Sequence, residues 1–361
     1  MAQNTFFAEI HQELDAKMIP GGKWNLPLFY PGGSVAEHRH TRSEASIFDL
    51  TGRRCFQLTG RSCGAELDKI FMYPCGSLPA GKVMDNILLG EHGRFTALFT
   101  LCRMQEDDFM LLLDRNIPEA AAAEMLAVLK NFSPRELSDS FAQLAVIGKK
   151  ADEVLLSAGA VELPGGESWK MLTLHDEDGD ELRCIAIRND RFGEKGYDLL
   201  CNAALALEVY GAIYRINGTA PAGVGAWESL RIESGTPAPG SELTGDLFPV
   251  ESGWQLPEDI SRDFRGKTAL LAASCRYRTG MIELERHPAL PGSPVSTADG
   301  LTVGVVSSGA FCPGIGVAAV LVRVEANIPE DAELFCQVNG KSVPGIFVPV
   351  KEQTQKNLHD K

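Results

Sequence analysis

Few side chains in this 361-residue sequence stand at spacings that suggest chemistry, and each has a plain structural alternative. His38-Arg39-His40 sets two imidazoles at i and i+2. No third and fourth ligand follows at a metal spacing, so the pair reads as part of a surface helix or loop and no metal site is expected. Gly314-Ile315-Gly316-Val317-Ala318-Ala319 copies half of a dinucleotide fingerprint, but without a following helix it reads as a turn into a strand. Cys312 has no histidine nearby in sequence to make it a nucleophile, and reads as a small buried residue. Asp49, in Phe48-Asp49-Leu50, suits either a turn cap or a carboxylate facing a ligand, with the cap preferred. Trp227 and Arg231 are four apart and share a face of the helix predicted over 226–233, which sets an indole beside a guanidinium. A structural pair between Arg231 and Glu228 is the alternative to a binding role.

A chain of this length exceeds the size at which a single core stops growing, so two or more domains are expected, and 44% hydrophobic residues suffice to build their cores. The 34 basic against 48 acidic side chains give a formal charge of -14, which disfavours nucleic acid and anionic membranes as partners. Nine cysteines, an odd number without a CxxC pair, do not suit a complete disulfide framework and read as reduced thiols of a cytoplasmic protein. The opening residues carry acids and no basic, then apolar, leader, and no run approaches 18 apolar residues, so neither export nor membrane insertion is expected.

The elements that must position these residues are those of an α+β core with a β-rich C-terminal part. Apolar spacing with Pro near the first turn predicts a helix over 118–130. A buried strand is predicted over 141–147, a helix over 151–157, and a hairpin from strands 170–174 and 182–188 with Asp178-Gly179 at its turn. A further helix is predicted over 199–216, closed by Asn217-Gly218. Beyond about Leu271 helical periodicity gives way to β-branched and aromatic runs at 281–284, 301–306, 318–324 and 334–338, separated by turn residues.

Ordered blocks along nearly the whole chain resemble the aminomethyltransferases, the T-proteins of the glycine cleavage system. His11–Tyr30 is similar to the family's opening helix and Pro-containing strand, and RSEASIFDL (42–50) to RxxAGxFDV. RNDRFGEKGYD (188–198) resembles RTGYTGExGFE, GAWESLRIESG (225–235) resembles GARDTLRLEAG, and DFRGKTAL (263–270) resembles DFIGREAL. VGVVSSGAFCP (303–313) resembles the VTSGTFSP turn. The resemblance implies a three-part T-protein-like ring: two α+β folate-binding lobes over 1–271, a β-barrel-like domain over 272–351, and a polar tail over 352–361.

It also implies a site. Ala97-Leu98 occupy the positions of two adjacent aspartates, of which the first, at Ala97, is the family's catalytic carboxylate. Asp85, twelve residues earlier, and Glu91 in the intervening turn are candidates to return an acid. Glu194 matches the glutamate of TGE, and a carboxylate accepts the exocyclic amine and ring N–H of a pterin as a bidentate pair. A solvated turn glutamate is the alternative. Arg191 replaces the preceding tyrosine, where it would stack on a flat ring, and Trp227 replaces the first arginine of ARDTLRLE, removing a guanidinium that would meet an anionic tail. The implied activity is carbon transfer to tetrahydrofolate from an aminomethyl group on a lipoyl carrier protein. The alternatives are a folate-dependent demethylase or methyltransferase using another one-carbon donor, and a catalytically silent folate-binding protein.

Overall fold

Strict alternation along the strands gives each sheet two different faces, and this sorting positions the site. The computed structural model describes residues 2–350, and the polar tail expected at 352–361 lies outside them. A five-stranded sheet runs in the order Val83–Leu89, Phe95–Gln105, Asp108–Leu113, Arg54–Thr59, Arg135–Glu136. A six-stranded sheet runs Trp169–His175, Glu181–Arg188, Gly196–Asn202, Phe141–Ile147, Ala45–Asp49, Thr219–Ala222. Its neighbours are antiparallel except the last pair, where Thr219–Ala222 lies parallel to Ala45–Asp49. A closed barrel of six strands lies between Tyr277 and Pro349.

On the first sheet Ala97, Phe99, Leu101, Phe109 and Leu111 face a core completed by Ala122, Met125 and Leu129 of the helix Glu119–Leu129. On the second, Leu144, Val146, Leu199 and Cys201 face the helices Ala151–Ser157 and Ala206–Tyr214. Each such fully buried aliphatic side chain contributes roughly 1.5–3 kcal/mol of burial. The opposite faces meet: Cys55, Val83, Cys102, Met110 and Leu112 of the first sheet share one cluster with Ile185, Ile187 and Leu200 of the second. That shared face is apolar at one end and polar at the other.

Local expectations fail where alternation and helical spacing are hard to tell apart. Leu199–Asn202, expected as the start of a helix, completes the strand Gly196–Asn202, and helix begins at Ala206 after a single 3₁₀ turn. A three-residue apolar run, Leu199–Cys201, fits either state, and pairing with both flanking strands decides it. His38 lies on the helix Gly33–Ser43 but is fully buried. Its ring contacts Ser229 Oγ at 2.8 Å and Glu233 Oε2 at 3.1 Å, binding this helix to Val224–Glu233. The barrel also contains Pro294–Ser296 and Lys341–Pro349, which carry no clear sequence signal.

Candidate functional site

At the polar end of the shared face lies a cavity of about 150 Å³. Asp85, Leu98 and Thr100 line it from the first sheet, and Asp114, Arg115 and Asn116 from the chain leaving the strand Asp108–Leu113. Asn189–Phe192 close it from the second sheet, and Trp227, Glu228 and Arg231 from the helix Val224–Glu233. That helix is seated by Gly223 at its start: a Cβ there would meet Leu28 O at 2.4 Å, and the Gly223 amide donates to Glu37 Oε2 at 2.9 Å.

The most buried ionic group at the cavity was not anticipated. Asp198 is fully buried on the strand Gly196–Asn202. Arg191 pairs with both its oxygens, through Nη1 to Oδ1 and through Nη2 to Oδ2 at 2.7 Å. Oδ2 also accepts from Arg53 Nη1 at 2.7 Å and Asn189 Nδ2 at 3.1 Å. Burial by itself would raise the Asp198 pKa, but the Arg191 and Arg53 guanidinia outweigh it and hold the carboxyl at about 2. Conversely, burial works against the Arg191 charge, and Asp198, then Asp85 and Asp114, push its pKa upward on balance.

The segment 191–194 turns back on itself, which separates the two residues expected to act together. Phe192 and Gly193 both adopt left-handed backbone, with φ of 58° and 79°, and Arg191 and Glu194 exchange backbone hydrogen bonds of 3.0 and 2.8 Å. Arg191 therefore turns inward to Asp198. Glu194 turns away: its Oε1 accepts from Arg42 Nη1 at 3.0 Å, and it is not among the cavity's lining residues. Glu194, the expected pterin acceptor, is thus turned toward Arg42 and away from the residues that line this cavity.

Ala97 also faces away from the cavity. It is fully buried on the core face, paired across the strands with Leu88, whereas Leu98 lines the cavity. Asp85 is registered opposite Thr100, whose hydroxyl donates to Asp85 Oδ1 at 2.6 Å, so Asp85 shares the cavity face with Leu98. Glu91 sits exposed in the hairpin turn and lines a separate surface groove.

Arg231 borders the cavity, but its charge is committed: Nη2 pairs with Glu228 at 2.7 Å, and Nη1 with the buried Glu242 at 2.9 Å. It also donates to Ser308 Oγ at 2.9 Å, tying the helix to the barrel strand Thr302–Cys312. Trp227 stands where the expected helix face placed it, with the Phe192 ring edge-on at 5.1 Å and the Arg191 guanidinium 5.4 Å from its centroid. Asp49 caps its turn by accepting from the Thr51 amide at 2.7 Å, and its Oδ2 lies 3.0 Å from His11 Nε2 in the buried interior. Cys312 is buried, and burial pushes its thiol up to about 12, which suits packing and not nucleophilic attack. Gly314–Gly316 form the turn into the strand Val317–Glu325.

A wider recess of about 990 Å³ adjoins the cavity and shares Arg53, Asp114, Arg115, Asn116 and Glu228 with it. Asp114, Arg115, Asn189 and Asp198 were missed by motif reading because they come from three separate segments: the chain after the strand Asp108–Leu113, the loop after Glu181–Arg188, and the strand Gly196–Asn202. Asp198 alone carried a signal: it is an acid inside the otherwise apolar run Tyr197-Asp198-Leu199-Leu200, where only a paired carboxylate is tolerated.

The fold, with its packed sheets and barrel, is shared with known proteins. A family model for the GCVT N-terminal domain matches residues 7–256, well over half of the chain, and the chain belongs to this aminomethyltransferase family. It is 27% identical to an aminomethyltransferase of Saccharopolyspora erythraea, over 93% of this chain and 94% of that protein. It is 28% identical to one of Deinococcus deserti, over 92% of each. The crystal structure of the glycine cleavage system aminomethyltransferase T from Bartonella henselae superposes with a TM-score of 0.85 at 24% identity, covering 98% of this chain and 99% of that one, a likeness of fold. Among the described residues, no helix is long and apolar enough to cross a membrane.

Proposed function

We propose that this protein is a cytoplasmic, tetrahydrofolate-dependent one-carbon transferase of the aminomethyltransferase kind, with the ring of the folate held in the cavity beside Leu98 and Trp227. Membership of the family supplies the reaction class. The observation that carries the reading is the lining of the cavity: an aromatic wall from Trp227 and Phe192, and acceptors at Asp85, Asn189 and Asp114. A pterin is flat and presents adjacent N–H donors on one edge, so an indole face with carboxylates at its margin fits it. When bound, tetrahydrofolate supplies two nitrogens between which the transferred carbon becomes a methylene bridge.

The protein's own contribution is orientation and charge. Trp227 excludes water from one wall, and Leu98 does so from the other. Asp85, fixed by the Thr100 hydroxyl on the face of Leu98, is the carboxylate placed to stabilise positive charge as ammonia departs from an aminomethyl donor. Asp198 has no such role, because its oxygens are taken by Arg191, Arg53 and Asn189. An apolar Leu98 in the wall favours one further reading, in which the donor is a different methylated or aminomethylated compound and not a lipoyl carrier.

The test is methylene-tetrahydrofolate formation from an aminomethylated lipoyl carrier, for the wild type and Asp85→Asn. Turnover that falls about 100-fold or more in the variant, the scale of losing an electrostatic stabiliser, supports the reading. Folate binding without turnover on this donor moves the assignment to another donor or to a silent folate-binding protein. Absence of folate binding defeats it.

A further inference from the structure

We propose that Arg115 is a carboxylate anchor at the junction of the cavity and the wider recess, a specificity residue for whichever reactant brings a carboxylate into the site. This rests on the folate reading only for the identity of one of its two possible ligands.

The other cavity guanidinia are each engaged by an acid within the protein. Arg53 and Arg191 pair with Asp198, and Arg231 pairs with Glu242 and Glu228. Arg115 differs. Among the described residues no ion pair joins it to an acid, and it makes one hydrogen bond, from Nη1 to the Asp49 carbonyl at 3.2 Å. A guanidinium has five N–H donors in a planar fork that matches a carboxylate, so most of this fork remains for a ligand. Arg115 lines both spaces, and its Cζ lies 5.8 Å from the centroid of the Trp227 ring. In the resemblance to GARDTLRLEAG, Trp227 stands at an arginine. The fold thus returns a guanidinium to the neighbourhood of residue 227 from a different element, the chain that leaves the strand Asp108–Leu113. Its support is fixed, since Asp49 is itself held by Thr51 and His11 in the interior.

The shared ligand chemistry is an α-carboxylate next to a flat or cationic group that packs on Trp227. Two sources supply it: the glutamyl tail of a folate, or a small amino-acid donor bearing its methyl or methylene carbon on nitrogen. Calorimetric titration at low salt separates them, using wild type, Arg115→Met and Arg115→Lys. The probes are tetrahydrofolate, 6-methyltetrahydropterin, which lacks a carboxylate, and N-methylglycine and N,N-dimethylglycine.

If the anchor holds the tail, tetrahydrofolate weakens about 10- to 100-fold in Arg115→Met while 6-methyltetrahydropterin binds both proteins alike, the fold-change of one charged hydrogen-bonded pair. If it holds a donor, the N-methylated amino acids bind the wild type and weaken by the same factor in the variant. Arg115→Lys keeps the charge and loses less in either case. Equal affinity of wild type and Arg115→Met for every carboxylate probe that binds overturns the proposal, as does a wild type that binds none of them. Failure of the folate reading alone looks different: neither pterin binds, and Arg115-dependent binding of the amino acids persists. Arg115 is partly exposed and makes one backbone contact, so Arg115→Met should match the wild type in thermal midpoint. Should it melt early, Arg115→Lys carries the comparison.

Discussion

Placing an aspartate at residue 97 and at residue 98 in turn should give opposite outcomes, although the two are adjacent and both match acids of the family pattern. Ala97 has no exposed surface and packs among Leu88, Phe99 and the rest of the helix-covered core. A carboxylate there would lie among the apolar side chains of that core, and burying an unpaired charge costs about 3–5 kcal/mol. Leu98 is only partly buried and opens on a cavity that also presents Arg191 and Arg115. Leu98→Asp forfeits part of one leucine's burial, about 1–2 kcal/mol, and gives its charge a polar surrounding. Ala97→Asp should therefore unfold at a urea concentration well below that of Leu98→Asp, followed by circular dichroism. The sign with pH is also set. The carboxyl of Ala97→Asp would have a folded pKa raised by burial above its unfolded value. Its deficit should be small below the unfolded value, near about pH 4, and grow as pH rises through the folded one. An Ala97→Asp protein as stable as the wild type, or a Leu98→Asp protein the less stable of the two, would refute the assigned register.

Other consequences are as direct. Asp198→Ala strands the Arg191 and Arg53 guanidinia in a buried site and should cost about 3–5 kcal/mol in urea unfolding; an effect below about 1 kcal/mol would mean that the pairs hold nothing. Because the folded Asp198 pKa of about 2 lies below its ordinary 3.8, this stabilisation is complete above 3.8 and is lost as pH falls toward 2, and Asp198→Asn should flatten that part of the acid-unfolding curve. Arg231→Ala leaves the buried Glu242 without its guanidinium and should loosen the contact of helix and barrel, read as faster proteolysis within 277–349; unchanged cleavage would argue against the tie. Eight of the nine cysteines are buried and one, Cys275, is exposed, so a thiol reagent should count one fast group in the native protein and nine after unfolding. Several fast native thiols would contradict the packing.

Much of the fold could be read in advance because the signals were long or repeated. The helix over 151–157, the strand over 141–147 and the change to strands after Leu271 each rest on several residues of one periodicity. The site was harder because it depends on faces. Ala97 and Leu98 differ only by the strand's alternation, and a bulge between Leu88 and Leu89 on the partner strand shifts the register beside them. Glu194 and Asp198 lie in one motif, but the left-handed turn at Phe192–Gly193 sends the first outward while the strand points the second inward. Arg53, Arg115 and Asn189 come together only when the two sheets pack, so no local spacing announces them.

The central claim is that the cavity beside Leu98 and Trp227 is a folate site, and a crystal structure of the protein with tetrahydrofolate tests it most directly. The account predicts the pterin ring against Trp227, with Asp85, Asn189 or Asp114 within hydrogen-bonding distance of its N–H edge. A ring bound elsewhere, or a cavity left without it at saturating tetrahydrofolate, would contradict the account.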